Sequence, residues 1–190
     1  VTGLLDTEAA TVPAAPAAAG QCPGHPPDPD AGDGTHRRLM ALLDRAGADY
    51  RIIDHAPEGR TDLASELRGH RLEMAAKCMV LRIRRKGGED HHVLAVVPGH
   101  RRVDLRRVRK LYGGSDATLG DREEAERLTG CVSGCVIPFS FDERLPVVVD
   151  ADLLVHEEIY FNAARLDRSL ALRTVHYISL STPRIAAIAK

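Results

Sequence analysis

One lysine stands at the entrance to an apolar run, "LEMAAKCMVLRIRR", Leu72 to Arg85. A strand bound for a core has little use for an ammonium, so Lys77 has two readings. Its stem can cover the strand end while the charge reaches water, or the ammonium can face a cleft and take a phosphate or steady a developing oxyanion. Position alone leaves both open. Downstream, "GCVSGCVIPF", Gly130 to Phe139, is rich in glycine and suits a tight loop with exposed backbone N–H groups that cradle an anion or polarise a carbonyl. The bland alternative is that Gly130 only caps a helix. Asp150, after the apolar "PVVV", is either a strand terminator or a carboxylate held at a cleft to take an amine.

Other chemistry-bearing residues divide in the same way. His55, in "DHAP", is a hydrogen-bonded turn residue or a catalytic imidazole. Cys131 and Cys135, with His91 and His92 elsewhere, invite a metal, but a single C-x3-C without a second pair is a weak ligand set and small buried thiols are common. No metal and no cofactor are expected. Nothing near either cysteine marks a lowered thiol pKa. Arg106, Arg107, Arg109 and Lys110 crowd "VDLRRVRKLYGG", forming a solvated face or a seat for an RNA backbone.

The elements that must position these groups follow from period and punctuation. The 190 residues are 44% hydrophobic, enough for one core, and 26 Lys plus Arg against 27 Asp plus Glu give no global field favouring nucleic acid. Residues 1–34, rich in Ala, Pro and Gly, read as a tail without helical or strand period. Thr35 is placed as the N-cap of a helix carrying Leu39, Leu42 and Leu43, and "YRIID" reads as a strand. Thr61 is placed as the cap of a second helix with Leu63, Ala64 and Leu67 sharing one face, closed by Gly69. Gly87-Gly88 joins two apolar runs as a hairpin, Asp104 caps the basic helix, and Asp121 with Glu124 suggests a capping box. "PVVVD", "EIYFN" and "RSLAL" read as strands, and "RTVHYISL" as a closing helix or strand. The hairpin argues against a purely parallel sheet. No apolar run nears the roughly 20 residues a bilayer span needs, no secretory signal is visible, and a cytoplasmic location is expected.

In this order, "HAPEGRT", "AAKCMVLRI", "VPGHRRVDLRRV", "LTGCVSGCVIPF", "LPVVVDADL" and "IYFNAARLDRSLAL" resemble the YbaK and prolyl-tRNA synthetase editing-domain family. The likeness runs from about Thr35 to Leu180. It implies an α+β single domain built on a mixed, largely antiparallel curved sheet or partial barrel surrounded by helices, over residues 35–182, with 183–190 as a second tail. It also implies a trans-acting deacylase that cleaves the ester of a mischarged aminoacyl-tRNA, typically one for proline. The partners would be the aminoacyl-tRNA and an aminoacyl-tRNA synthetase, without membrane or metal.

Position by position, Lys77 matches the family's essential lysine, Gly134 the glycine whose backbone holds the reacting carbonyl or water, Pro138 the proline that shapes that loop, and Asp150 the aspartate after the apolar strand. Substrate contacts fall at His55, Thr61, Ser133, Cys135, Pro138 and Asn162, and tRNA contacts at Arg101, Arg102, Arg106, Arg107, Arg109 and Lys110. Two positions depart from the pattern: Cys135 stands where Gly or Ala is usual, and Ala164 where "NAG" is common. Cys78 reads as ordinary core. Two rivals remain: a module that binds aminoacyl or nucleotide groups without turnover, and an enzyme acting on another aminoacyl ester or amide.

Overall fold

The hairpin around Gly87-Gly88 is the spine of the molecule. In the computed structural model, which describes residues 32–190, β2 (Ala76–Arg84) and β3 (His91–Pro98) pair antiparallel, with Lys77 opposite Val97 and Ile83 opposite His91. Gly87, at φ 73°, supplies the left-handed residue of the turn. The Ala- and Pro-rich stretch before residue 32, with Cys22, lies outside the described residues. On the far side of β2 lies β4 (Asp116–Leu119), antiparallel, while β5 (Val147–Val149) runs parallel to β3 and β8 (Arg184–Ile185) parallel to β5. A second, antiparallel sheet has the order β1 (Tyr50–Asp54), β7 (Arg168–Arg173), β6 (Glu158–Asn162). A parallel bridge from Ala75 to Tyr160 joins the start of β2 to β6, so the two sheets meet beside Lys77.

Burial follows the pleat. Val80, Leu94, Val96 and Val149 face the small sheet's Ile159, Phe161, Leu170 and Leu172, together with Leu39 and Leu43 of α1 (Asp33–Arg45) and Tyr177 of α5 (Thr174–Ser181). Leu81, Ile83, Val93, Ala95 and Val97 face the other way, onto Val108 of α3 (Leu105–Leu111) and onto Ile188 and Ala189. β3 is thus buried on both faces, which is why its sequence is continuously apolar rather than alternating.

Local signals decide several element ends. Asp104 caps α3 by accepting from the N–H groups of Arg106 and Arg107, and Asp121 caps α4 (Arg122–Thr129) by accepting from that of Glu124. Glu124 does not complete a capping box; its carboxylate takes Arg82 and His92, each at 2.8 Å. α1 starts two residues ahead of Thr35, which lies within the helix and donates its hydroxyl to the carbonyls of Thr129 and Gly130. "RTVHYISL" resolves as helix. The last eight residues are no tail. β8 pairs with β5, and the backbones of Arg102 and Lys190 exchange hydrogen bonds of 3.1 and 2.8 Å. No described helix is long and apolar enough to cross a membrane.

Candidate active site

Lys77 occupies the junction of two hollows that form one cleft. Its Nζ donates to the carbonyl of Gly99 at 2.9 Å and to that of Arg101, so the ammonium braces the turn after β3 while lining both hollows. Burial, helped by the charge of Arg102, pulls its pKa below the usual lysine value.

The inner hollow, about 470 Å³ including its mouth, is lined by Gly59 and Arg60, by Thr61, Ala64 and Arg68 of α2 (Thr61–Arg68), by Ala76 and Cys78 of β2, by Gly134 and Val136, and by Phe161 and Asn162 of β6. Two glycines make its wall. Gly134 adopts φ 98°, and a Cβ there would sit 2.9 Å from the Cα of Gly59. The loop ahead of α2 and the loop after α4 therefore touch backbone to backbone, which only glycine permits.

Asn162 ties these loops to β6. Its amide nitrogen donates to the carbonyls of Glu58 at 3.1 Å and Gly134 at 3.0 Å, which fixes the amide orientation and leaves Oδ1 to accept from the Arg68 guanidinium. Ser169, buried on β7, extends the network, with its hydroxyl 3.1 Å from Asn162 Oδ1 and 2.6 Å from His55 Nε2. Burial drives the Cys78 thiol well above its usual pKa, so it enters the hollow as a neutral group.

The outer hollow is a basic basin. Arg60, His100, Arg101 and Arg102 surround it beside Lys77, with Asp62 as the acidic member of its lining. Arg60 pairs with Asp62 at 2.7 Å and Arg101 with Asp152 at 3.2 Å, but Arg102 has no such partner among the described residues. The arrangement suits a small uncharged group inside and phosphate outside.

Residues 57–180 match the model of the aminoacyl-tRNA editing domain family. The chain belongs to that family. It is an aminoacyl-tRNA deacylase, a hydrolase. The multifunctional Ser/Thr-tRNA deacylase ProXp-y of Escherichia coli is 39% identical over 155 residues, spanning 81% of this chain and 92% of the relative. Two solved structures share the fold. One is a hypothetical protein, with TM-score 0.72 and 20% identity over 80% of this chain and 99% of that one. The other is described as a candidate trans-editing enzyme for prolyl tRNA synthetase, with TM-score 0.69 and 23% identity over 82% and 97%.

Of the positions read from the sequence, this editing domain brings Lys77, Gly134, Thr61 and Asn162 to the inner hollow and Arg101 and Arg102 to the basin. Thr61 arrives as the first residue of α2 and not as its cap, which is Arg60. His55 stands behind the hollow, joined through Ser169. Ser133 is exposed with its N–H on Glu126 at 2.9 Å, and Pro138 is buried with its carbonyl facing Ser181 at 3.3 Å; neither lines the hollow. Cys135 is buried, donates to Val132 and has its thiol pushed up to about 12 by burial.

Asp150 lies elsewhere. Only 2% exposed, it accepts from Asp152 N at 3.0 Å, Ile188 N at 2.7 Å and Ala189 N at 2.6 Å, so its carboxylate is occupied by backbone and has no room for a substrate amine. Arg106, Arg107, Arg109 and Lys110 are exposed on α3, outside the cleft. Among the residues of the hollow that escaped the sequence reading are Gly59, Arg60, Arg68, Phe161 and Cys78, the last expected as plain core. For Arg68 a signal existed, because Thr61, Ala64, Ser65 and Arg68 share one helical face. Ala64 and Ser65 are the buried residues of α2, while Leu63 and Leu67 are 36% and 50% exposed.

Proposed function

We propose that the protein is a trans-editing enzyme that hydrolyses the ester joining serine or threonine to a mischarged tRNA, with a tRNA for proline as one substrate. The observation that carries this reading is the division of the cleft at Lys77. A small hollow floored by Gly134 adjoins a basin of arginines, as an aminoacyl group followed by a phosphodiester requires. The 39% identical relative, described as a Ser/Thr-tRNA deacylase, supports the choice of amino acid.

In this reading the aminoacyl group enters beside Gly134 and Asn162, and the terminal phosphates meet Arg101 and Arg102. Arg106, Arg107, Arg109 and Lys110 offer further charge to the RNA backbone. Water attacks the ester carbonyl, the carbonyl–ribose oxygen bond breaks, and the tRNA leaves with a free hydroxyl as the amino acid departs. Lys77 anchors the ester end and opposes developing negative charge, and the Gly134 backbone positions the carbonyl or the water. The hollow offers no thiolate, so positioning and electrostatics do the work, with the tRNA's own 2′-hydroxyl assisting. Asp150 supports the basin from behind by holding Ile188 and Ala189, whose neighbour Lys190 pairs with Arg102. A synthetase would be a partner in supplying mischarged tRNA.

The test is a panel of tRNAs charged with serine, threonine, alanine, cysteine and proline, incubated with wild type and with Lys77→Ala. Seryl and threonyl esters should be cleaved fastest, and Lys77→Ala should lose about 100-fold or more in kcat/KM with an unaltered circular dichroism spectrum. Unchanged turnover by the variant would refute the role of Lys77. Salt-dependent binding of charged tRNA without deacylation would refute the hydrolytic reading of this site.

A further inference from the structure

Arg68 is an arginine for which the fold supplies no counter-charge. Its guanidinium lines the inner hollow, its one recorded protein contact is the carbonyl oxygen of Asn162, and no carboxylate comes within ion-pair distance among the described residues. Its Nε–H is buried without a partner. Burial pulls its pKa down to about 10, which still leaves it charged at neutral pH. A buried donor on a cation is costly to leave unmade and persists where a ligand completes it. The basin that would take phosphate adjoins this hollow across Arg60 and Lys77; Arg101 and Arg102 line the basin alone, and Arg68 lines the inner hollow alone. What reaches Arg68 is therefore the amino acid.

We infer that Arg68 is the specificity-determining residue of the hollow, its guanidinium donating to the side-chain oxygen of the esterified amino acid. This rests on the deacylase reading above and adds to it a physical basis for choosing a hydroxyl. The walls at Ala64, Ala76, Val136 and Phe161 offer only apolar contact. An apolar hollow alone discriminates weakly between a hydroxyl and its absence, whereas a site with a buried donor rejects a substrate that leaves the donor empty. Asn162 Oδ1 accepts from one Nη and so fixes the orientation of the guanidinium at the wall of the hollow.

One tRNA acylated in turn with serine, alanine, threonine and valine tests this, because each pair differs at the oxygen while the RNA stays constant. Wild type should favour seryl over alanyl and threonyl over valyl by about 10- to 100-fold in kcat/KM. Arg68→Met should bring both ratios to within about three-fold, chiefly by slowing the hydroxyl substrates. Arg68→Lys, which keeps the charge but loses the planar guanidinium fork, should also narrow them and serves if the methionine variant folds poorly. Equal slowing of all four esters with the ratios intact would overturn the inference, since that is what a purely structural hold on Asn162 or a general pull on the ester carbonyl would give. Failure of wild type to cleave any of them would overturn the deacylase reading itself, and this inference with it.

Discussion

Replacing Asp150 by asparagine separates a clamp from a catalytic carboxylate. Oδ2 of Asp150 accepts from two backbone donors at 2.7 and 2.6 Å, and Oδ1 from a third at 3.0 Å. Asparagine keeps one acceptor. If its oxygen stays with Asp152, its NH2 group confronts the N–H groups of Ile188 and Ala189, donor against donor. Two hydrogen bonds to a charged acceptor are then lost at about 1.5–3 kcal/mol each, so roughly 3–5 kcal/mol of stability should go. For a domain of this size each kcal/mol moves Tm by about 2–4 °C, which puts the expected fall near 10 °C. Thermal denaturation followed by circular dichroism reads it directly. Deacylation well below the transition should show the loss in KM for tRNA, because the released segment supports Arg102 in the basin, with kcat nearly unchanged. An unaltered Tm together with a collapsed kcat would mean that the carboxylate acts on the ester, and the clamp would be wrong.

Two further outcomes follow from backbone and charge. Ala164 is buried at φ 60°, where an L side chain is strained by roughly 1–2 kcal/mol, so Ala164→Gly should raise the unfolding free energy by about 1 kcal/mol after its added chain entropy, as urea unfolding would measure. The depressed pKa of Lys77 should place the alkaline fall of enzymatic kcat/KM, corrected for spontaneous ester hydrolysis, below the ordinary lysine value of 10.5. Over the same window the unfolded chain holds the extra proton, so this group's contribution to stability rises with pH while activity falls. A limb at or above 10.5, or one unmoved in Lys77→Arg, would count against an essential ammonium.

Punctuation residues were the legible part of the fold. Gly87-Gly88 set the hairpin, Asp104 and Asp121 set two helix starts, and Gly69 and Gly130 close helices in the left-handed region. Each acts through its own backbone or its immediate neighbours, so a linear reading reaches it. β4 was missed because "DATL" is short and has one buried residue, and the C-terminal segment because its order comes from Asp150, forty residues away at most, and not from its own period. α2 was found but turned the wrong way. The apolar pattern put Leu63 and Leu67 inward, whereas the helix packs through Ala64 and Ser65 and sends Arg68 into the hollow. Of the site, Lys77 and Gly134 were legible through family resemblance, Arg68 was legible only from the small-residue face of α2, and Gly59 acquires meaning only when the loops meet.

The pairing of Lys190 with Arg102 also sets an address. Whatever polypeptide or label is joined after Lys190 leaves the fold at the rim of the arginine basin and not at a distant pole. A fluorophore placed there would sense arriving RNA, and a bulky or acidic extension there would shield the entrance. The far end of the chain is thus a handle on the near edge of the cleft.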